Sequence, residues 1–365
     1  MRKLALFLSL CLLPCLVHAD AIMTRVGSGD DAIPVVVVSG TPYEMGFAQG
    51  KLLRKEATAL LNRMLAVVRA EDAERYSDAV LDEAWASVSP HTDARFKEEV
   101  EGFAKGSGIP VEVVLRVHMI PVISDYSCSG IAAWGKATVD GHLYQTRNLD
   151  WVMEVRAHDY PCIVVYRPDE GVAHVNVTFA GFLAAHTGMN AEGIALSEMG
   201  NSPGREYPYD LNGAHFSTLF RRVLYDAHDL DEALATFQRA KRIKRYHYVI
   251  GDGKTKRGVK VLAHAPDFVV WKDNDPTDEY APNVLENVVY EDEGRGAFEP
   301  LKEAYGKIDA AKMREIACKI PIRGGNVVDV VYDATALEFW VAYAEGEEEA
   351  YTRPFVHVKL KDYLK

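Results

Sequence analysis

Asp125-Tyr126-Ser127-Cys128-Ser129-Gly130-Ile131, then Asp140-Gly141, then Arg147-Asn148-Leu149-Asp150-Trp151 read as two β-strands joined through an Asp-Gly turn. A cysteine heads the first strand and an Arg-x-x-Asp pair closes the second. A thiol in that position is a candidate nucleophile if the chain is cut in front of it. The freed α-amino group, with an ordinary pKa of ~8, lies within reach of its own sulfur and can take the thiol proton. A cation near the sulfur favours the thiolate, and a carboxylate favours a protonated amine. On spacing alone, Arg147 and Asp150 are equally a local ion pair.

The chain changes character at Cys128. Before it, the pattern is mostly helical. Residues 20–33 read as a poorly ordered lead-in and 34–39 as a short strand. Thr41, Pro42 and Glu44 form a capping box with proline at the first helical position, so a long helix starts at Pro42. Gly46 and Gly50 lie on one face of it and invite close backbone approach, with the β-rich remainder as the expected partner. Further helices are predicted at 78–88, 93–105 with Gly106 as stop, and 111–119. After Cys128, strands are predicted at 129–138, 142–148, 162–167, 173–180, 182–187 and 194–198. Two helices follow at 216–227 and from Asp229 to about Lys241, and strands resume at 246–250, 258–263, 268–271, 327–332 and 337–343. Strands, a helical pair, then strands define an α+β domain with a sheet-rich core. The acidic runs 273–279 and 291–293 lack calcium-loop spacing and read as solvated loops.

Residues 1–19 carry Arg2 and Lys3, an apolar run and a Val17-His18-Ala19 end, the pattern of a secretory signal peptide. The run is too short to span a bilayer, so an exported, periplasmic or secreted protein without stable membrane insertion is expected. Removing the signal shifts the formal charge from -12 to -14 and argues against nucleic acid as a partner. The remaining cysteines are Cys128, Cys162 and Cys318. Cys162 and Cys318 either pair as a disulfide or stay free. Neither His-Glu-x-x-His nor Cys-x-x-Cys is present, and no metal or cofactor is expected. A Cys/His pair with His186, His215 or His247 as base stays open.

Thr41-Pro42-Tyr43-Glu44-Met45-Gly46 with Gly50, the Cys128-Ser129 start and Arg147-Asn148-Leu149-Asp150-Trp151 resemble the isopenicillin N acyltransferase-like family of cysteine N-terminal nucleophile (Ntn) hydrolases. Bile salt hydrolase, penicillin V acylase, acid ceramidase and N-acylethanolamine acid amidase are related. The resemblance covers nearly the whole chain after the signal. It implies a four-layer αββα sandwich over residues 128–365, preceded by a helical segment, 20–127, as pro-region or small subunit that stays as a partner if cut away. It implies self-cleavage at Ser127/Cys128 and cleavage of an N-acyl amide through an acyl-enzyme at Cys128. Arg147 would position thiolate and substrate, and Asp150 would hold the α-amino group. Glu198 would assist proton movement, or is a strand-end carboxylate. Asn287 falls where the family supplies an oxyanion-hole amide, with Asn283 and Asn326 as competitors. Acyl transfer and phospholipase B-like ester hydrolysis use the same site, and an inactive ligand-binding protein of the same fold is a further alternative.

The resemblance also sets a condition on the turn. A strict two-residue turn at Asp140-Gly141 sets Cys128 opposite Met153 and leaves Asp150 ~10 Å too far along. A β-bulge or longer loop between Gly135 and Gly141 must restore the register.

Overall fold

The computed structural model describes residues 21–200, 209–265, 267–281 and 284–365. The signal-like residues 1–19 therefore lie outside the described residues.

In chain order, β1 (Ala21–Val26) and β2 (Ile33–Gly40) precede α1 (Pro42–Leu52), α2 (Arg54–Glu71), α3 (Asp78–Val88), α4 (Ala94–Ser107) and α5 (Val111–Ile123). Then come β3 (Ser127–Ala133), β4 (Tyr144–Trp151), β5 (Pro161–Pro168), β6 (His174–Phe179), β7 (Thr187–Asn190) and β8 (Ile194–Gly200). After α6 (Phe216–Asp226) and α7 (Leu230–Arg239) follow β9 (Tyr246–Asp252), β10 (Arg257–Ala263), β11 (Phe268–Trp271) and β12 (Val288–Glu291). Two helices, α8 (Phe298–Ala304) and α9 (Ala310–Ala317), lead to β13 (Gly325–Asp333), β14 (Glu338–Tyr343) and β15 (Val356–Lys359).

The strands form two sheets. One has nine strands in the order β1-β2-β5-β6-β7-β8-β9-β10-β11; the other has six, β12-β3-β4-β13-β14-β15. Alternation along each strand sorts side chains between two faces. In β3, Cys128 and Ala132 join the core between the sheets, while Ile131 and Ala133 face α8 and α9. In β8, Ala195 and Met199 point into that core, while Ile194 and Leu196 pack under α6 and α7. The result is the αββα arrangement, with α2–α5 packed into the inter-sheet cluster. Residues 21–127 are more than helical: β1 and β2 extend the nine-stranded sheet, and β2 runs parallel to β5.

Local signals account for several element ends. Thr41 Oγ1 accepts from the Glu44 N–H and the Glu44 carboxylate accepts from the Thr41 N–H at 2.9 Å, which starts α1. The long helix expected from Pro42 breaks at Leu53 and resumes as α2. Gly106 does not stop α4; Gly108, at φ 74°, does. Gly106 instead faces α1. An added Cβ at Gly46 would lie 2.0 Å from the Glu99 carbonyl oxygen, and one at Gly106 would lie 2.0 Å from that of Phe47. The glycine face thus packs against α4, not against the sheets, and glycines on both helices make the approach reciprocal.

Other expectations need correction. The lead-in 20–33 contains β1, paired along β2. Residues 182–186 form irregular chain before β7. The acidic run 291–293 is not solvated: Glu291 and Asp292 are buried, and Glu291 pairs with His247 at 2.7 Å and Lys260 at 3.2 Å. Cys162 and Cys318 are both free: Cys162 packs under α1 and Cys318 caps α9.

Candidate active site

The connection between β3 and β4 decides whether Cys128 and Asp150 meet. The strands pair Ser127 with Asp150, Cys128 with Leu149 and Ala133 with Tyr144, so the ladder stops well short of Asp140-Gly141. A 3-10 turn at Gly135–Ala137 fills the gap, with Gly135 at φ 53°. This is the irregularity that the register required, and it brings Asp150 back beside Cys128.

Each strand then presents alternate groups to two sides of the Cys128 backbone. On the inter-sheet side, Arg147 Nη2 donates to Cys128 Sγ at 3.2 Å and to Glu198 Oε2 at 3.3 Å. Tyr126 OH donates to Glu198 Oε1 at 3.0 Å. Cys128, Arg147 and Glu198 are all buried. On the side toward α9, Asp150 Oδ2 meets Arg295 Nη1 at 2.5 Å and accepts from the Arg323 N–H at 3.2 Å. Asn326 Nδ2 donates to Asp150 Oδ1 at 3.3 Å. Arg295 Nη2 donates to the Cys128 carbonyl at 2.6 Å, which fixes the chain at the candidate cut site. Ser127 Oγ donates to Glu293 Oε1 at 2.9 Å.

Burial dominates the electrostatics. It pushes the Cys128 thiol up to about 12 against the lowering effect of Arg147. It raises the Glu198 carboxyl to about 7, with Arg147 and Tyr126 pulling the other way. Asp329, beside Asn326, is likewise raised to about 7 by burial.

Glu198 reaches this cluster through the β7–β8 hairpin. Asn190 Oδ1 accepts from the backbone N–H groups of Glu192 at 3.1 Å and Ile194 at 3.0 Å, and Gly193 takes φ 86°. The Gly-Asn segment is thus the hairpin turn. Beside Arg147, whose Nη2 reaches Cys128 Sγ, lies an apolar pocket lined by Met64, Leu149, Trp151, Phe179, Phe182 and Phe216, together with Arg147, His186 and Glu198. His118 on α5 shapes its wall, because its Nε2 accepts from the Leu183 N–H at 2.9 Å.

Of the residues expected from sequence, Cys128, Arg147, Asp150 and Glu198 come together. Asn287 does not. It sits opposite Trp134, six residues along from Cys128 and roughly 20 Å away at ~3.3 Å per residue. Its side chain accepts from the Lys136 N–H at 3.0 Å and donates to Asp273 at 3.3 Å. The reason is register: β12 pairs Val288 with Ala133, at the far end of β3. Asn283 lies outside the described residues, and Asn326 Nδ2 is taken up by Asp150 and Asp329. His215 and His247 are hydrogen-bonded elsewhere, His215 to Ser217 and Tyr246, and His247 to Glu291. Sequence reading missed Arg295, Tyr126 and Glu293. An arginine between Gly294 and Gly296, just after the acidic run, was the available signal for Arg295. Among the described residues, no group of three or more His, Cys, Asp or Glu side chains is placed to hold a metal ion. No helix among them is long and apolar enough to cross a membrane.

Two facing sheets with outer helices thus hold a buried cysteine in contact with an arginine at the head of β3. No family model matches the chain. It is 25% identical to protein dcd1A of Dictyostelium discoideum over 93% of this chain and 88% of that one. It is 27% identical to dcd1B of the same organism over 75% of this chain, and spans about three fifths of that protein's length. The N-acylethanolamine-hydrolyzing acid amidase of Mus musculus matches at 20% identity over 58% of each chain. This last match supports the relation to Ntn hydrolases read from the sequence. Among solved structures, the conjugated bile acid hydrolase of Clostridium perfringens is similar at 12% identity and TM-score 0.46, covering 65% of this chain and 94% of that one.

Proposed function

We propose that the chain is an exported, self-cleaving cysteine Ntn hydrolase that splits an N-acyl amide bond. The observation that carries this reading is the two-sided hold on Cys128: Arg147 on its sulfur, and Asp150 with Arg295 along its backbone.

In the uncut chain, Cys128 Sγ attacks the Ser127 carbonyl carbon. The C–S bond forms as the C–N bond breaks, the thiol proton passes to the departing nitrogen, and water hydrolyses the thioester to leave a free Cys128 α-amine. In turnover that amine takes the thiol proton and Sγ attacks the substrate carbonyl. The leaving amine takes the proton back, and water releases the acid from the acyl-enzyme. Arg147 stabilises the thiolate that burial opposes. Asp150 lies across from Ser127, where it can attract the new ammonium group, and Glu198, near neutrality, can hold a proton next to Arg147. The apolar pocket supports an acyl group as the part of the substrate that lies against Cys128.

Matched N-acyl anilides and acyl phenyl esters, assayed with wild type and Cys128→Ala, test the proposal. Amide turnover that vanishes in the variant is expected. Turnover of esters alone would replace it with the ester hydrolase, and ligand binding without any turnover would replace it with a binding protein.

A further inference from the structure

The pocket beside Arg147 is hydrocarbon almost throughout, yet His186 is part of its wall. His186 ends the irregular stretch before β7 and is only 7% exposed. Its ring lies near-parallel to that of Phe179, with centroids 5.8 Å apart, and 6.4 Å from that of Phe182. Its Nε2 is buried and has no hydrogen-bond partner among the described residues. Arg147 Nη1, from the same pocket wall, is a second buried nitrogen without one. Buried polar atoms are nearly always satisfied, so an orphan on a pocket wall marks where a ligand atom belongs. A purely alkyl or aryl occupant would leave both nitrogens unpaired.

Charge narrows the choice. Burial, reinforced by the positive Arg147, holds the His186 imidazole neutral. Its free nitrogen is therefore a single donor or a single acceptor, depending on tautomer. A hydroxyl serves either case, because it both donates and accepts. The free space, about 60 Å³, is well below the ~150 Å³ of a cavity that takes a benzene ring and calls for a short occupant.

We infer that the pocket selects a short acyl group bearing a hydroxyl, whose oxygen pairs with His186 Nε2. The inference rests on the amidase reading only for which part of the substrate enters. A site built to bond a hydroxyl discriminates strongly against the analogue lacking it, because the buried partner is then left unpaired.

The test is calorimetric binding to the full chain carrying Cys128→Ala, so that binding is measured without turnover. The ligands are butyryl anilides hydroxylated at C2, C3 or C4, each paired with its methyl isostere. At least one hydroxylated member is expected to bind tenfold or more tighter than its isostere. His186→Phe should reduce that preference below twofold by strengthening the isostere, and His186→Gln, which keeps a polar group, should retain part of it should the Phe variant fail to fold. Equal binding within every pair, a preference unmoved by both substitutions, or no binding at all would overturn the inference. Turnover of the same pairs by wild type tests the amidase reading separately: discrimination in binding without turnover removes that reading and leaves the pocket assignment standing.

Discussion

Replacing Arg147 with Met should make stability depend on pH in a way that the parent chain does not. A Cys128→Ala background removes the thiol and keeps the chain whole. Burial has raised Glu198 to about 7, and Arg147 is the largest influence opposing that rise. Without the guanidinium, the carboxyl stays protonated in the folded chain well above neutrality, while in the unfolded chain it ionises near its ordinary value of ~4.3. A raised folded pKa means stability that is full below the unfolded value and lost as pH climbs through the folded one. Between pH 7 and 8.5 the Arg147→Met chain should therefore lose about 1.4 kcal/mol per pH unit, roughly 2 kcal/mol in all. The parent, whose Glu198 finishes ionising in that interval, should lose only about 0.4 kcal/mol. Urea unfolding at several pH values measures the gap, and adding Glu198→Gln should close it. Parallel pH curves for parent and Arg147→Met, or a slope that survives Glu198→Gln, would refute the assigned coupling.

Gly46→Ala should force α1 off α4, since its Cβ would meet the Glu99 carbonyl oxygen at 2.0 Å; a loss of ~1–3 kcal/mol in thermal or urea unfolding is expected, and unchanged stability would contradict the packing. Arg295→Met leaves Asp150 buried without its ion-pair partner and should cost ~3–5 kcal/mol and slow any self-cleavage; wild-type unfolding would show that the pair is dispensable. His118, depressed by burial to about 4, contributes stability that is present above pH ~6.5 and lost as pH falls toward 4, up to about 3 kcal/mol. His118→Gln should flatten that limb of the stability curve, and an unaltered limb would assign the acid sensitivity elsewhere.

What could be read in the sequence was mostly local. The α1 start follows from Thr41, Pro42 and Glu44 because a cap is built within one helical turn. The Cys128, Arg147 and Asp150 cluster follows from two adjacent strands, once the thirteen steps from Cys128 to Gly141 demanded an irregular connection. Long-range relations were hidden. Arg295 meets Asp150 and Cys128 across 145 and 167 residues, and no local pattern encodes that. Glu291 looked solvated because its partners, His247 and Lys260, come from distant strands. The short α8 and α9 escaped notice because Pro300 sits inside the seven-residue α8 and α9 is only eight residues long. Asn287 was misplaced because the register of β12 on β3 is set by tertiary packing rather than by its own residues.

The proposed mechanism requires that Cys128 become an amino terminus. N-terminal sequencing with intact-mass measurement on purified wild type and Cys128→Ala tests it directly. A wild-type fragment beginning at Cys128, absent from the variant, is expected. A single uncut chain in both would contradict it and leave Cys128 without its own amine as a base.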